Sequence, residues 1–188
     1  SYDCNPHDGQ EYLIFGNGNG ITAESCGSSW DLHEIQIWDE MGNPIQNLQA
    51  EALTGYASDY PASNAVDGSA SSFWAGDHDI GMSCSCWDSS KKDGQSIRIH
   101  LGSWTKVSKI VLTQGGAGNA WAISNIRIHC ASSYQSNPLP LQISFGTTEI
   151  ECSAAGCATT RMDPAYVHTC DMGMSSRASA PLFFLLES

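Results

Sequence analysis

Positive charge is scarce in this chain. Eight Lys and Arg stand against twenty Asp and Glu over 188 residues, a net charge of −12. The cations are scattered and form no basic run. Nucleic-acid binding depends on neutralising phosphates with Lys and Arg, so the composition argues against it. Electrostatic attachment to an anionic membrane is disfavoured for the same reason. Long apolar runs are also missing; the longest, Pro181 to Leu186, is far too short to cross a bilayer. No Asn-x-Ser/Thr sequence occurs, so N-glycosylation is not expected. There is no Gly-x-Ser-x-Gly elbow and no His-Glu-x-x-His. The expectation is a protein that is not an enzyme, although a dispersed pair of glycosidase carboxylates would leave no local pattern.

Cysteine, by contrast, is plentiful: Cys4, Cys26, Cys84, Cys86, Cys130, Cys152, Cys157 and Cys170. An even count in a Gly- and Ser-rich chain points to disulfides and to a secreted protein or another oxidising lumen. Zinc is the rival reading, because Cys84/Cys86 and Cys152/Cys157 are close pairs, but no CxxC or His-x₃-His accompanies them. Cys84 and Cys86 are not expected to bond each other, since a one-residue spacer strains the bridge. A chain that begins at Ser1 rather than Met is expected to be a mature form.

Helix signals are sparse, and turn residues punctuate the chain. Between the turns, apolar residues alternate. Ile35 and Ile37 share one face of a strand over 32–38, with Asp39 to Gly42 as its turn. Ile97, Ile99 and Leu101 alternate with Arg98 and His100, and Ile126, Ile128 and Cys130 with Arg127 and His129. Leu141, Ile143 and Phe145 repeat the pattern, whereas Leu182 to Leu186 is apolar throughout and predicts a central or covered strand. Period-two segments separated by turns predict an all-β, jelly-roll-like, disulfide-rich β-sandwich. Residues 1–29, with the Gly16 to Gly20 run and two cysteines, read as a disulfide-bound N-terminal extension, and 30–188 as the sandwich. The glycine run lacks the Lys-Ser/Thr of a phosphate loop.

The most informative stretch is Tyr60 to Trp74. Pro61 biases Tyr60 toward extended backbone, Asp67-Gly68 is a strong turn signal, and Trp74 calls for a core or a ligand. Asp67 and the hydroxyls of Ser69, Ser71 and Ser72 offer the hard oxygens that Ca²⁺ prefers. The segment Ala65-Val-Asp67-Gly68-Ser-Ala-Ser-Ser72-Phe-Trp74 resembles the A-x-D-G-x-x-x-[ST]-x-W signature of the discoidin, or coagulation-factor C-type, family of galactose-binding-like domains. Ser96 to Gly102 resembles the family's W-x-x-V-D-L-G strand, with Ser96 in place of Trp, and Val107 to Leu112 resembles its V-x-x-I-x-[LV] strand. The resemblance covers about residues 30–150.

The resemblance implies a galactose-binding-like sandwich with a structural Ca²⁺. Its ligands would be the carboxylates of Asp67 and Glu34, the carbonyls of Asn64, Ser69 and His33, and the hydroxyl and carbonyl of Ser72. The competing reading is an Asx turn at Asp67 with no metal. In relatives the Glu-bearing strand usually closes the domain; here the similar run Leu32 to Ile37 comes first, which implies a circularly permuted strand order. The family's ligand surfaces lie in loops at one end, here 53–61, 75–95 and 114–122. The candidate ligand-binding residues are therefore Tyr56, Tyr60, His78, Trp87, Asn119 and Trp121. Trp121 also reads as a core residue, and Asp77 and Asp79 as solvated loop acids short of an EF-hand. His100 and Arg127 have the spacing of the fucose-binding lectins' first two bases, but His129 stands where an Asp is needed, so that motif is not supported.

The expected function is an extracytosolic, non-enzymatic binding module, with a glycan or glycoprotein as ligand. The alternative is a structural subunit that binds protein partners within a larger secreted or lumenal assembly.

Overall fold

The computed structural model describes residues 5–17, 30–53, 59–76, 95–115, 125–130, 139–143 and 146–164. Among these residues ten strands form two antiparallel sheets: β1 (Gln10–Asn17), β2 (Asp31–Asp39), β3 (Gln49–Ala52), β4 (Trp74–Ala75), β5 (Ser96–Thr105), β6 (Val107–Gln114), β7 (Asn125–Cys130), β8 (Leu139–Gln142), β9 (Gly146–Ser153) and β10 (Gly156–Pro164). The first sheet runs β3-β5-β1-β7-β8 and the second β10-β9-β6-β2-β4. The only helical turns among the described residues are the short 3-10 segments Pro6–Asp8 and Ala62–Val66.

Alternation builds the core. Leu13, Phe15, Ile97, Ile99, Ile126 and Ile128 from the first sheet meet Leu32, Ile35, Ile37, Ile110, Leu112 and Ile150 from the second, all fully or nearly fully buried. Burying such side chains contributes roughly 1.5–3 kcal/mol each before the entropy of ordering them is counted. Trp30 and Trp74 close the core with their rings edge-on at 5.5 Å, and both are fully buried. The Trp30 indole donates to Gln114 at 2.8 Å, and its main-chain N–H donates to the Gln95 amide oxygen at 2.7 Å. Trp74 is therefore a core residue and not a ligand platform.

One expectation changes, and one rival reading falls away. Residues 10–17 are not part of an appended extension, because β1 lies at the centre of the first sheet, paired with β5 on one side and β7 on the other. Its Leu13 and Phe15 are as buried as any core residue, so a boundary at residue 29 would cut the sheet. The zinc reading at Cys152 and Cys157 is replaced by a disulfide between directly paired residues of β9 and β10. Cys130 is also disulfide-bonded. Cys4, Cys26, Cys84, Cys86, Cys170 and the apolar run 182–186 lie outside the described residues. No helix among the described residues is long and apolar enough to cross a membrane.

Candidate functional site

The Tyr60–Trp74 segment folds as the turn chemistry demands. Pro61 precedes the 3-10 turn Ala62–Val66, and Gly68 follows Asp67 with φ +80°, a backbone state that a Cβ would disfavour. The Asp67 carboxylate holds the loop on itself: Oδ1 accepts the Ser69 N–H at 2.8 Å and Oδ2 the Ser72 hydroxyl at 2.6 Å. The Ser72 hydroxyl also lies 3.2 Å from the Ser69 carbonyl, and the Asn64 amide donates to the Phe73 carbonyl at 3.1 Å.

This loop covers the middle of β2. A strand with one wet face would alternate, yet Leu32, His33, Glu34 and Ile35 are all buried. The polar pair is buried because the loop receives it. Glu34 Oε2 accepts the Gly68 N–H at 3.1 Å, and His33 Nδ1 lies 2.9 Å from the Ala70 carbonyl. Tyr60, Phe73 and His33 form an aromatic row beside the loop, Tyr60 on Phe73 at 4.4 Å and nearly parallel, Phe73 to His33 at 5.1 Å.

Two carboxylates thus converge on one loop. Burial pushes the Glu34 carboxyl up to about 7 from its ordinary 4.5; the negative charge of Asp67 adds to the rise, and the N–H groups of Gly68 and Ser69 oppose it. A cavity of about 340 Å³ adjoins the pair, lined by Glu34, Gln36, Trp38, Gln46, Asn47 and Asp67 among others. Chemically the arrangement offers two acids, main-chain carbonyls and a hydroxyl within one short loop, a set suited to a hard cation. No cluster of three or more His, Cys, Asp or Glu side chains occurs among the described residues, so the remaining donors would have to be backbone and hydroxyl oxygens.

Of the residues expected at the metal, Glu34, Asp67, Ser69 and Ser72 are brought together by direct hydrogen bonds. Asn64 and His33 bracket the same loop through Phe73 and Ala70. Of the residues expected at a ligand, Tyr60 is half-buried against Phe73, while Tyr56, His78, Trp87, Asn119 and Trp121 lie outside the described residues. Sequence reasoning passed over Trp38, Lys109 and Glu151, which line a second groove on the outer face of the second sheet. The signal was present as three outward positions on three strands, but only pairing register puts them in one row.

Two antiparallel sheets packed face to face, with an Asp-Gly loop buttressed by a glutamate strand, define the class: a galactose-binding-like β-sandwich. A family model described as NedA-like, galactose-binding domain matches residues 64–162, more than half of the chain, and the protein belongs to that family. Such domains are generally non-catalytic binding modules. No curated protein and no solved structure matches the chain. The matched segment begins at Asn64, so the strand carrying Glu34 precedes it in the chain yet lies inside the second sheet, between β6 and β4.

Proposed function

We propose that this protein is an extracytosolic carbohydrate-binding module whose Asp67 loop is held by a structural Ca²⁺. The observation that supports the metal is the carboxylate pair. Glu34 and Asp67 face one loop; burial first, and the charge of Asp67 to a smaller extent, raise Glu34 to about 7, a cost that a cation would relieve. Glu34 and Asp67 would supply charge, Ser72 its hydroxyl and carbonyl, and Asn64, Ser69 and His33 their carbonyls. Such a cation would fix the loop and the Tyr60–Phe73 row next to it, and would supply no catalysis. Membership of a galactose-binding-domain family supports sugar as the ligand class, and the disulfides support an oxidising compartment.

The test is a glycan array on the intact protein with Ca²⁺ and with EDTA, paired with calorimetric titration of Ca²⁺ into chelated protein. The expected result is one bound Ca²⁺, lost in Asp67→Asn, and a restricted set of glycan hits. No calcium uptake would remove the metal. No glycan hit in either condition would remove the sugar reading and leave the protein-partner alternative.

A further inference from the structure

We propose that the outer face of the second sheet is itself a sugar-binding surface, taking a short neutral oligosaccharide in the groove between Trp38 and the β9–β10 hairpin. This deepens the carbohydrate reading above and rests on it. The groove encloses about 720 Å³ and is lined by Trp38, Ser108, Lys109, Glu151, Ser153 and Thr160, with the hairpin turn and its disulfide at one side. That volume falls within the span of small-molecule sites, roughly 300–1,000 Å³.

Register assembles it. Trp38 pairs with Lys109, and Lys109 with Glu151, so the three stand in one row across β2, β6 and β9. Trp38 and Glu151 are two strand spacings apart, roughly 10 Å, more than a single sugar ring covers. The Lys109 ammonium lies 5.0 Å from the centre of the Trp38 ring and caps one face of it, so a sugar must use the opposite indole face. Polarised C–H groups of a pyranose stack on such a face. Lys109 is anchored by Glu149 at 3.2 Å, so its remaining donors point where Glu149 does not take them. The Glu151 carboxylate is exposed and makes no hydrogen bond or ion pair among the described residues, leaving it free to accept from ligand hydroxyls. The Ser108 hydroxyl donates to the Asp39 carbonyl and is left as an acceptor.

The chemistry selects the occupant. The Lys109 ammonium is already paired with Glu149 and Glu151 adds a further carboxylate, so the groove has no surplus positive charge for a phosphate, sulfate or uronate, and the −12 of the whole chain repels them further. An extended peptide is disfavoured on the floor, where β6 and β9 are each paired on both sides and offer no edge to add a strand to. Aromatic face, carboxylate, amine and hydroxyls on rigid strands match a neutral polyol. Trp38 also lines the cavity beside Glu34 and Asp67, whereas Lys109 and Glu151 line this groove alone; the Asp67 loop itself packs at Glu34, four residues back along β2.

The experiment is calorimetric titration of the intact protein with cellotetraose, xylotetraose, galactotetraose, mannotetraose and the strongest array ligand, with galactose and polygalacturonate as controls. One neutral oligosaccharide should bind, and galactose much more weakly. Trp38→Ala should lower affinity about 10- to 100-fold and Glu151→Gln about 3- to 10-fold, with Trp38→Phe recovering most of the loss. Asp67→Asn should leave it unchanged. If Trp38→Ala fails to fold, the exposed Glu151→Gln and Lys109→Met decide. Wild-type binding that none of these groove variants weakens would overturn the groove and keep the sugar reading. Preference for polygalacturonate would overturn the neutral assignment. No binding of any probe, on the array or in solution, would overturn the sugar reading and this inference together.

Discussion

Asp39 opens the turn at the end of β2. Its carboxylate accepts the N–H of Asn43 at 2.8 Å and of Met41 at 2.9 Å, with the Asn43 amide at 3.3 Å. Those donors, the Asn43 N–H foremost, hold the carboxyl below the usual carboxylate range. Asp67 opens a turn of similar chemistry, with one main-chain N–H and one hydroxyl on its oxygens. There the resemblance stops, because Glu34 shares the loop and is pushed the opposite way, up to about 7. The Asp39 turn is complete in itself: every charge-assisted bond favours the ionised acid. The Asp67 loop carries two acids where one would satisfy the turn, and the second is buried. A second carboxylate, buried beside an exposed loop, is what distinguishes the Asp67 turn from the Asp39 turn.

The largest expected effect concerns the cation. Saturating Ca²⁺, at about 100 times its Kd, should stabilise the protein by about 2.7 kcal/mol, a rise in Tm of about 5–10 °C. Asp67→Asn should abolish the shift and Asp39→Asn should keep it, read by differential scanning fluorimetry. A shift that survives Asp67→Asn would break the comparison.

Next comes the pH dependence of the metal-free protein. Glu34 has its carboxyl raised in the fold, so its neutral form is favoured there. The stability this confers is fully present below about 4.5 and is lost as pH rises through about 7. Glu34→Gln should therefore match wild type near pH 4 and exceed it by about 1–3 kcal/mol at pH 8 in EDTA. In Ca²⁺ the order should invert, because the amide is the poorer ligand. Equal denaturant midpoints at pH 8 would remove the burial argument.

The disulfide is a control on the Asp39 end. Cys152 and Cys157 line the same groove as Trp38 and Gly42, so Cys152→Ala with Cys157→Ala should cost roughly 2 kcal/mol while leaving the Ca²⁺ response intact. The smallest effect is Asp39→Asn itself. Its carboxyl is lowered in the fold, so the stability it gives is present above its ordinary 3.8 and lost as pH falls through the folded value. The variant should show a slightly lower Tm at neutral pH and no difference in strong acid.

Much of the site could be read in the chain because local chemistry carries it. Asp67-Gly68, the following serines and Trp74 each demand a particular backbone or environment, and the structure meets those demands within a dozen residues. The place of β1 could not be read this way. Gln10 to Asn17 is short, and its flanking glycines and cysteines resemble a tether; that it splits β5 from β7 depends on pairing with strands that come long after it. Nor could the burial of His33 and Glu34 be read, since period two assigns one of them to solvent, whereas the register of β2 on β6 slips between Leu32 and Glu34 and the loop laid over β2 receives both.

The sequence by itself determined the class of fold, an all-β sandwich with an Asp-Gly loop and an aromatic core anchor. Alternation and turn preference act over a few residues and need nothing distant. Tertiary structure alone decided which carboxylates meet and which merely cap a turn, which cysteines bond, and that Trp38, Lys109 and Glu151 form one row. Those outcomes depend on register between strands far apart in the chain, where a shift of a single residue turns every side chain to the other face.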